Sequence, residues 1–148
     1  MKHFVFLFPI SEIFDFEIEN NGIVYPGGIG AFRKRYSSVL NRCVRERYRE
    51  KEFLVNWVTF DDCPVSEIID LQEADRTVLV GMDYKTHTTP NQQGNYPYPN
   101  PDIILDQLQD PSKLIVAGFH MWDCVERLAK RADKKGLDVL VDEDLTEF

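Results

Sequence analysis

Cys124 has the residue type and setting for nucleophilic chemistry. It follows Gly118 by six positions and His120 by four, and a helical pattern begins with it. A thiol at a helix start meets backbone amides and the positive end of the dipole, both of which favour the thiolate. His120 lies close enough in sequence to serve as a general base or to line a pocket. The same positions also suit plain packing: a cysteine is a small apolar residue, and a histidine can be held by backbone groups. Asp123 either complements the helix dipole or faces the site. Met121 and Trp122 form a pocket wall or core. The remaining cysteines, Cys43 and Cys63, read as packing residues.

Metal and disulfide chemistry are not indicated. The three cysteines are widely spaced with no C-x-x-C pair, which argues against a disulfide framework. His3, His87 and His120 never fall four apart on one helix, so no zinc pattern forms and no metal or cofactor is expected.

The elements that would position these residues follow from hydrophobic patterning. Phe4–Phe8 is a continuous apolar run ended by Pro9, as in a central parallel strand. The mixed segment from Ser11 ends in the turn signal Asn20-Asn21-Gly22. Phe32, Tyr36, Val39, Leu40, Cys43, Val44 and Tyr48 trace one helix face. Phe53–Phe60, Thr77–Met82, Lys113–Ala117 and Leu137–Val141 read as further strands. Short helices are expected over Ser66–Glu73 and from Pro101 to Leu108, and a longer one over Cys124–Lys135, closed by Gly136. Thr86–Pro101 is rich in proline and amides and reads as a long functional loop or lid. Its Tyr96 and Tyr98 either stack on a planar ligand or pack the loop.

Strands alternating with helices predict an α/β fold: one domain over residues 1–148, a three-layer sandwich with a mostly parallel sheet. Ligands of such sheets bind at the carboxyl ends of the strands. This directs attention to Pro9–Asp15, Asp61–Cys63, Asp83–His87 and Gly118–Cys124.

With 148 residues, 17 Lys+Arg and 25 Asp+Glu, the net charge is −8. That argues against nucleic-acid or anionic-membrane partners. No apolar run spans a membrane, and the apolar stretch before Pro9 is too short for a signal peptide, so a cytoplasmic location is expected.

The segment Leu114–Phe148 resembles the isochorismatase-like cysteine hydrolases, which include nicotinamidases. It carries Gly118, Cys124-Val125, Ala129, Ala132 and Gly136 at that family's spacings, then a strand running into Asp142. The resemblance implies an isochorismatase-like fold with Cys124 as nucleophile. It also implies a non-proline cis peptide between Phe119 and His120, and an oxyanion hole from the amides of His120 and Cys124. The family's triad adds an Asp after the first strand and a Lys after the third. Aligned on Phe14, the Asp position holds Pro9, leaving Glu12 or Asp15 as substitutes; Lys85 stands for the lysine. The catalytic set implied is therefore Cys124, Lys85, Glu12 and Asp15, with Phe119, His120 and Trp122 at the pocket.

The expected function is hydrolysis of a small amide, imide or vinyl ether without a metal. The alternative is a catalytically silent relative that serves as a binding or assembly module. A flavodoxin-like nucleotide binder is a weaker third reading, because Pro26-Gly27-Gly28 follows no clear strand. A small-molecule substrate and a homo-oligomer are the expected partners; an open sheet edge favours the latter.

Overall fold

A computed structural model describes residues 1–147. Five strands, β1 (Lys2–Leu7), β2 (Leu54–Thr59), β3 (Arg76–Leu79), β4 (Lys113–Phe119) and β5 (Asp138–Glu147), form one sheet in the order β3-β2-β1-β4-β5. All four pairings are parallel. The helices are α1 (Ser11–Gly22), α2 (Gly28–Arg47), α3 (Tyr84–His87), α4 (Pro101–Leu105) and α5 (Glu126–Lys134).

Side chains alternate across each strand, so the apolar run of β1 supplies two cores at once. Phe4 and Phe6 face Phe14 and Ile18 of α1 and Leu40 and Val44 of α2. Val5 and Leu7 face Ile104 and Leu105 of α4 and Leu128 and Ala132 of α5. Helices thus cover both faces and make the three-layer sandwich expected from the sequence. Each fully buried Phe or Leu contributes about 1.5–3 kcal/mol relative to exposure.

Several local expectations are corrected. The mixed segment after Ser11 is helical, because Phe14 and Ile18 find the rings of Phe6 and Phe119 to pack on, with Phe14 edge-on to Phe119 at 5.5 Å. Ser66–Glu73 is not a helix. Its backbone is held from outside: the Ser66 amide donates to the Pro9 carbonyl at 2.7 Å. Ser37 and Asn41 of α2 donate to the Ile68 carbonyl at 2.7 and 2.8 Å, while Ile68 and Ile69 are buried. The fifth strand runs on past Val141 to Glu147, with an irregularity opposite Val116–Gly118. Arg47 and Tyr48 at the end of α2 both donate to Asp142 and tie β5 down midway.

Gly118 fixes how β4 leaves the sheet. Its φ is +114°, and a Cβ there would lie 2.3 Å from the Leu7 carbonyl oxygen and 2.6 Å from the Leu7 nitrogen. Only the absence of a side chain permits the approach of β4 to β1 at this point.

At the opposite end of β1, His3 is fully buried. Its Nε2–H donates to the Gln109 carbonyl at 2.8 Å, and Asn56 Nδ2 donates to Nδ1 at 3.1 Å. A proton on Nδ1 would face a donor. Burial is the main cause holding the His3 pKa below the ordinary histidine value, partly opposed by the Gln109 hydrogen bond.

Two outcomes follow. Gly118→Ala destabilises the fold by about 4 kcal/mol or prevents folding, measured by urea unfolding; a loss under about 1 kcal/mol would show that the close approach is slack. For His3, the unfolded chain takes up a proton below about pH 6.5 that the folded chain refuses. Stability is therefore full above that pH and falls as pH drops through 6. Urea midpoints from pH 7.5 to 5.5 should decline in the wild type and decline less in His3→Gln. Parallel declines would assign the pH response to other groups.

Candidate functional site

The strand order reverses between β1 and β4, and the crevice above their carboxyl ends is where parallel sheets bind ligands. A cavity of about 200 Å³ lies there, lined by Phe8, Phe60, His87, Phe119, His120 and Cys124 among others. That is below the range of drug-sized sites, which suits a ligand of one small ring.

The walls are aromatic. Phe8 stacks on Phe60 at 4.4 Å, and His87 stacks on the same Phe60 ring at 5.1 Å. Phe8 reaches this position with φ of +66°, just before Pro9. Tyr84 meets Phe60 edge-on at 5.3 Å.

A kink at Trp122 and Asp123, whose backbone angles are non-helical, lies inside the turn Met121–Val125, and helical angles resume at Cys124, at the start of the run that continues into α5. The amides of Asp123 and Val125 both donate to the His120 carbonyl at 3.2 Å. The Phe119–His120 peptide bond is cis, at the position the resemblance implies. The expectation of a lowered thiol pKa is overturned. Burial pushes the Cys124 thiol up to about 12, Asp123 adds to the rise, and Arg127 only partly offsets it. This setting favours the protonated thiol.

The Thr86–Pro101 segment closes over the pocket as a strap. Tyr98 Oη donates to Asp123 Oδ2 at 2.8 Å, and the Arg127 guanidinium lies 4.0 Å over the Tyr98 ring. His87 Nδ1–H donates to the Pro97 carbonyl at 2.7 Å. Pro99 and Pro101 wall the far side of Cys124, leaving only about 10 Å³ there. Asp123 therefore latches the strap instead of serving the helix dipole, and Tyr98 packs and bonds at the site rim. Tyr96 is exposed.

The other residues expected at the site are dispersed. Lys85 lines a separate hollow on the outside of the strap, with Thr86, Thr89, Asn91 and Pro97. Asp15 is paired with Arg33 at 2.7 Å. Glu12 is exposed, and its charge acts on Cys63 and Tyr84. Trp122 is 71% exposed and is not a pocket wall, whereas Met121 packs against the core. Cys63 is buried in the core and Cys43 is partly buried on α2. Phe119 and His120 do line the cavity. His120 also acts on Glu147 at the end of β5, holding down a carboxyl that burial and Glu17 push up.

Phe8, Phe60, Tyr84 and His87 are pocket residues that spacing alone did not single out as a set. The signal was present in weaker form: each lies at, or a few residues beyond, the carboxyl end of a strand. Among the described residues no cluster of three or more His, Cys, Asp or Glu could hold a metal ion, and no helix is long and apolar enough to cross a membrane. No protein-family model matches this sequence, and neither a curated protein nor a solved structure matches it.

The strap generates a test. Tyr98→Phe removes a hydrogen bond to a charged acceptor, about 1.5–3 kcal/mol, and favours opening. Iodoacetamide should then label Cys124 several-fold faster than in the wild type, read by peptide mass spectrometry. An unchanged rate would mean the latch does not limit access.

Proposed function

We propose that the chain is a binding module on an isochorismatase-like scaffold. It holds a small, flat, mainly apolar molecule in the Cys124 cavity without turning it over. The observation that carries this reading is the electrostatic setting of Cys124: a thiol raised to about 12 by burial and Asp123, in a cavity walled by aromatic rings. A nucleophile needs its thiolate, and a triad needs a proton acceptor and a cation beside it. Pro9 occupies the position aligned with the acid, and Lys85 faces another hollow. What the cavity offers is an aromatic lining in which Phe8 and Phe60 are stacked and buried and the partly exposed His87 ring is left to meet a planar ligand.

A second reading is kept by one observation. Cys124 does line the cavity at the sheet's switch point, where a cysteine hydrolase would hold its nucleophile. In that reading Cys124 attacks a small amide, imide or vinyl ether, and the amides of His120 and Cys124 hold the oxyanion.

The two separate cleanly with benzamide and related single-ring amides. Ligand-observed NMR should show binding, with shifts at Phe60 and His120, and Cys124→Ala should leave it intact. Alkylation of Cys124 should be no faster than that of Cys43 at neutral pH, and no acid product should form. Product that disappears in Cys124→Ala would establish the hydrolase instead. Absence of any binding would reject the module reading for this ligand class.

A further inference from the structure

A second hollow, of about 280 Å³, opens between α2 and the end of β5. It is larger than the Cys124 cavity and lies on the α1/α2 side of the sheet. Its apolar walls come from Tyr25, Phe32, Tyr36, Leu40 and Leu145. Phe32 is inclined to both tyrosines: Tyr25 meets it at 5.3 Å and 72°, and Tyr36 lies 6.1 Å from it at 39°. Such a set presents both faces and edges to an occupant.

Glu147 is the polar group that matters here. It lines the hollow and is half-buried, yet among the described residues its carboxylate has no hydrogen bond and no ion pair. A carboxylate withdrawn from water without a partner is costly. Glu17 of α1 adds like charge, since it acts on both Glu147 and Tyr36. The other carboxylate, Asp144, is exposed and already bound by Arg47 at 3.0 Å. Arg35 stands exposed at the rim, where water screens it. The interior is therefore an aromatic box holding a carboxyl group that no hydrogen bond or ion pair among the described residues satisfies, with His120 acting on it electrostatically.

We propose that this hollow is a ligand site for a small organic cation, a protonated amine with an apolar body. Its ammonium pairs with Glu147, and its body packs on Tyr36 and Phe32. A neutral apolar molecule would fill the rings but leave Glu147 without a partner. An anion would meet Glu147 and Glu17. An alkyl- or arylammonium satisfies both the carboxylate and the negative ring faces. His120 contacts the Cys124 cavity and also acts on Glu147, so it stands between the two sites.

The probes are benzylammonium, benzyl alcohol and benzoate, titrated into the full chain and followed by amide chemical shifts. Benzylammonium should bind with shifts at Tyr36 and Leu145, about tenfold tighter than benzyl alcohol, and benzoate should not bind. Glu147→Gln should remove the preference for the amine over the alcohol. The ranking of the three probes on wild-type protein needs no variant, so it stands even where Glu147→Gln fails to fold. Equal affinity for amine and alcohol, failure of the amine to bind, or shifts confined to Phe60 and Cys124 would each overturn the proposal.

Discussion

The close approach of β4 to β1 at Gly118 is the constraint on which the site depends. A side chain there would occupy the space of the Leu7 backbone. Because none is present, β4 stays paired to β1 through the Leu7–Gly118 register while the chain swings away over the sheet. That swing delivers Phe119, His120 and Cys124 above the point where the strand order reverses. Phe8 arrives at the same point from β1 and Phe60 from β2. The cavity is thus built by the ends of the three central strands, each rigid because its two faces are buried.

Aromatic packing extends the same logic downward. Phe6 contacts Phe14, Trp57 and Phe119, and Phe14 contacts Phe119 in turn. The residue that opens the site is therefore locked into the core of the α1/α2 face. Charge is used sparingly inside. Asp75, nearly buried, accepts from Trp57 Nε1 at 2.9 Å and from Arg49, fixing the start of β3 against α2's end. Asp142, also nearly buried, accepts from Arg47 and Tyr48, and Glu147 is half-buried, while most other acidic side chains are exposed, where each charge counts for little.

How much of this was legible in the sequence varies with the physics that decided each element. The buried strands β1, β2 and β4 were readable because parallel strands covered on both faces must be continuous apolar runs. The helix α1 was not, because its few apolar residues gain meaning only once Phe6 and Phe119 are in place. Ser66–Glu73 looked helical but is dictated by Ser37, Asn41 and Pro9, partners distant in sequence. At the site, the Gly118-to-Cys124 spacing drew attention to a turn whose His120 and Cys124 line the cavity. It could not report that Asp123 bonds to Tyr98, nor that Lys85 faces outward.

The thiol environment follows from that same turn. The kink at Trp122 and Asp123 just before the helical run sets Asp123 beside Cys124. Asp123 then serves the strap, accepting from Tyr98 and pairing with Arg127 at 3.4 Å. Arg127, whose charge lowers the thiol pKa, is thereby engaged by the carboxylate that raises it. In the proposed reading, Asp123 and the Tyr98 ring keep Arg127 engaged in the closed pocket, which then holds a ligand between its walls.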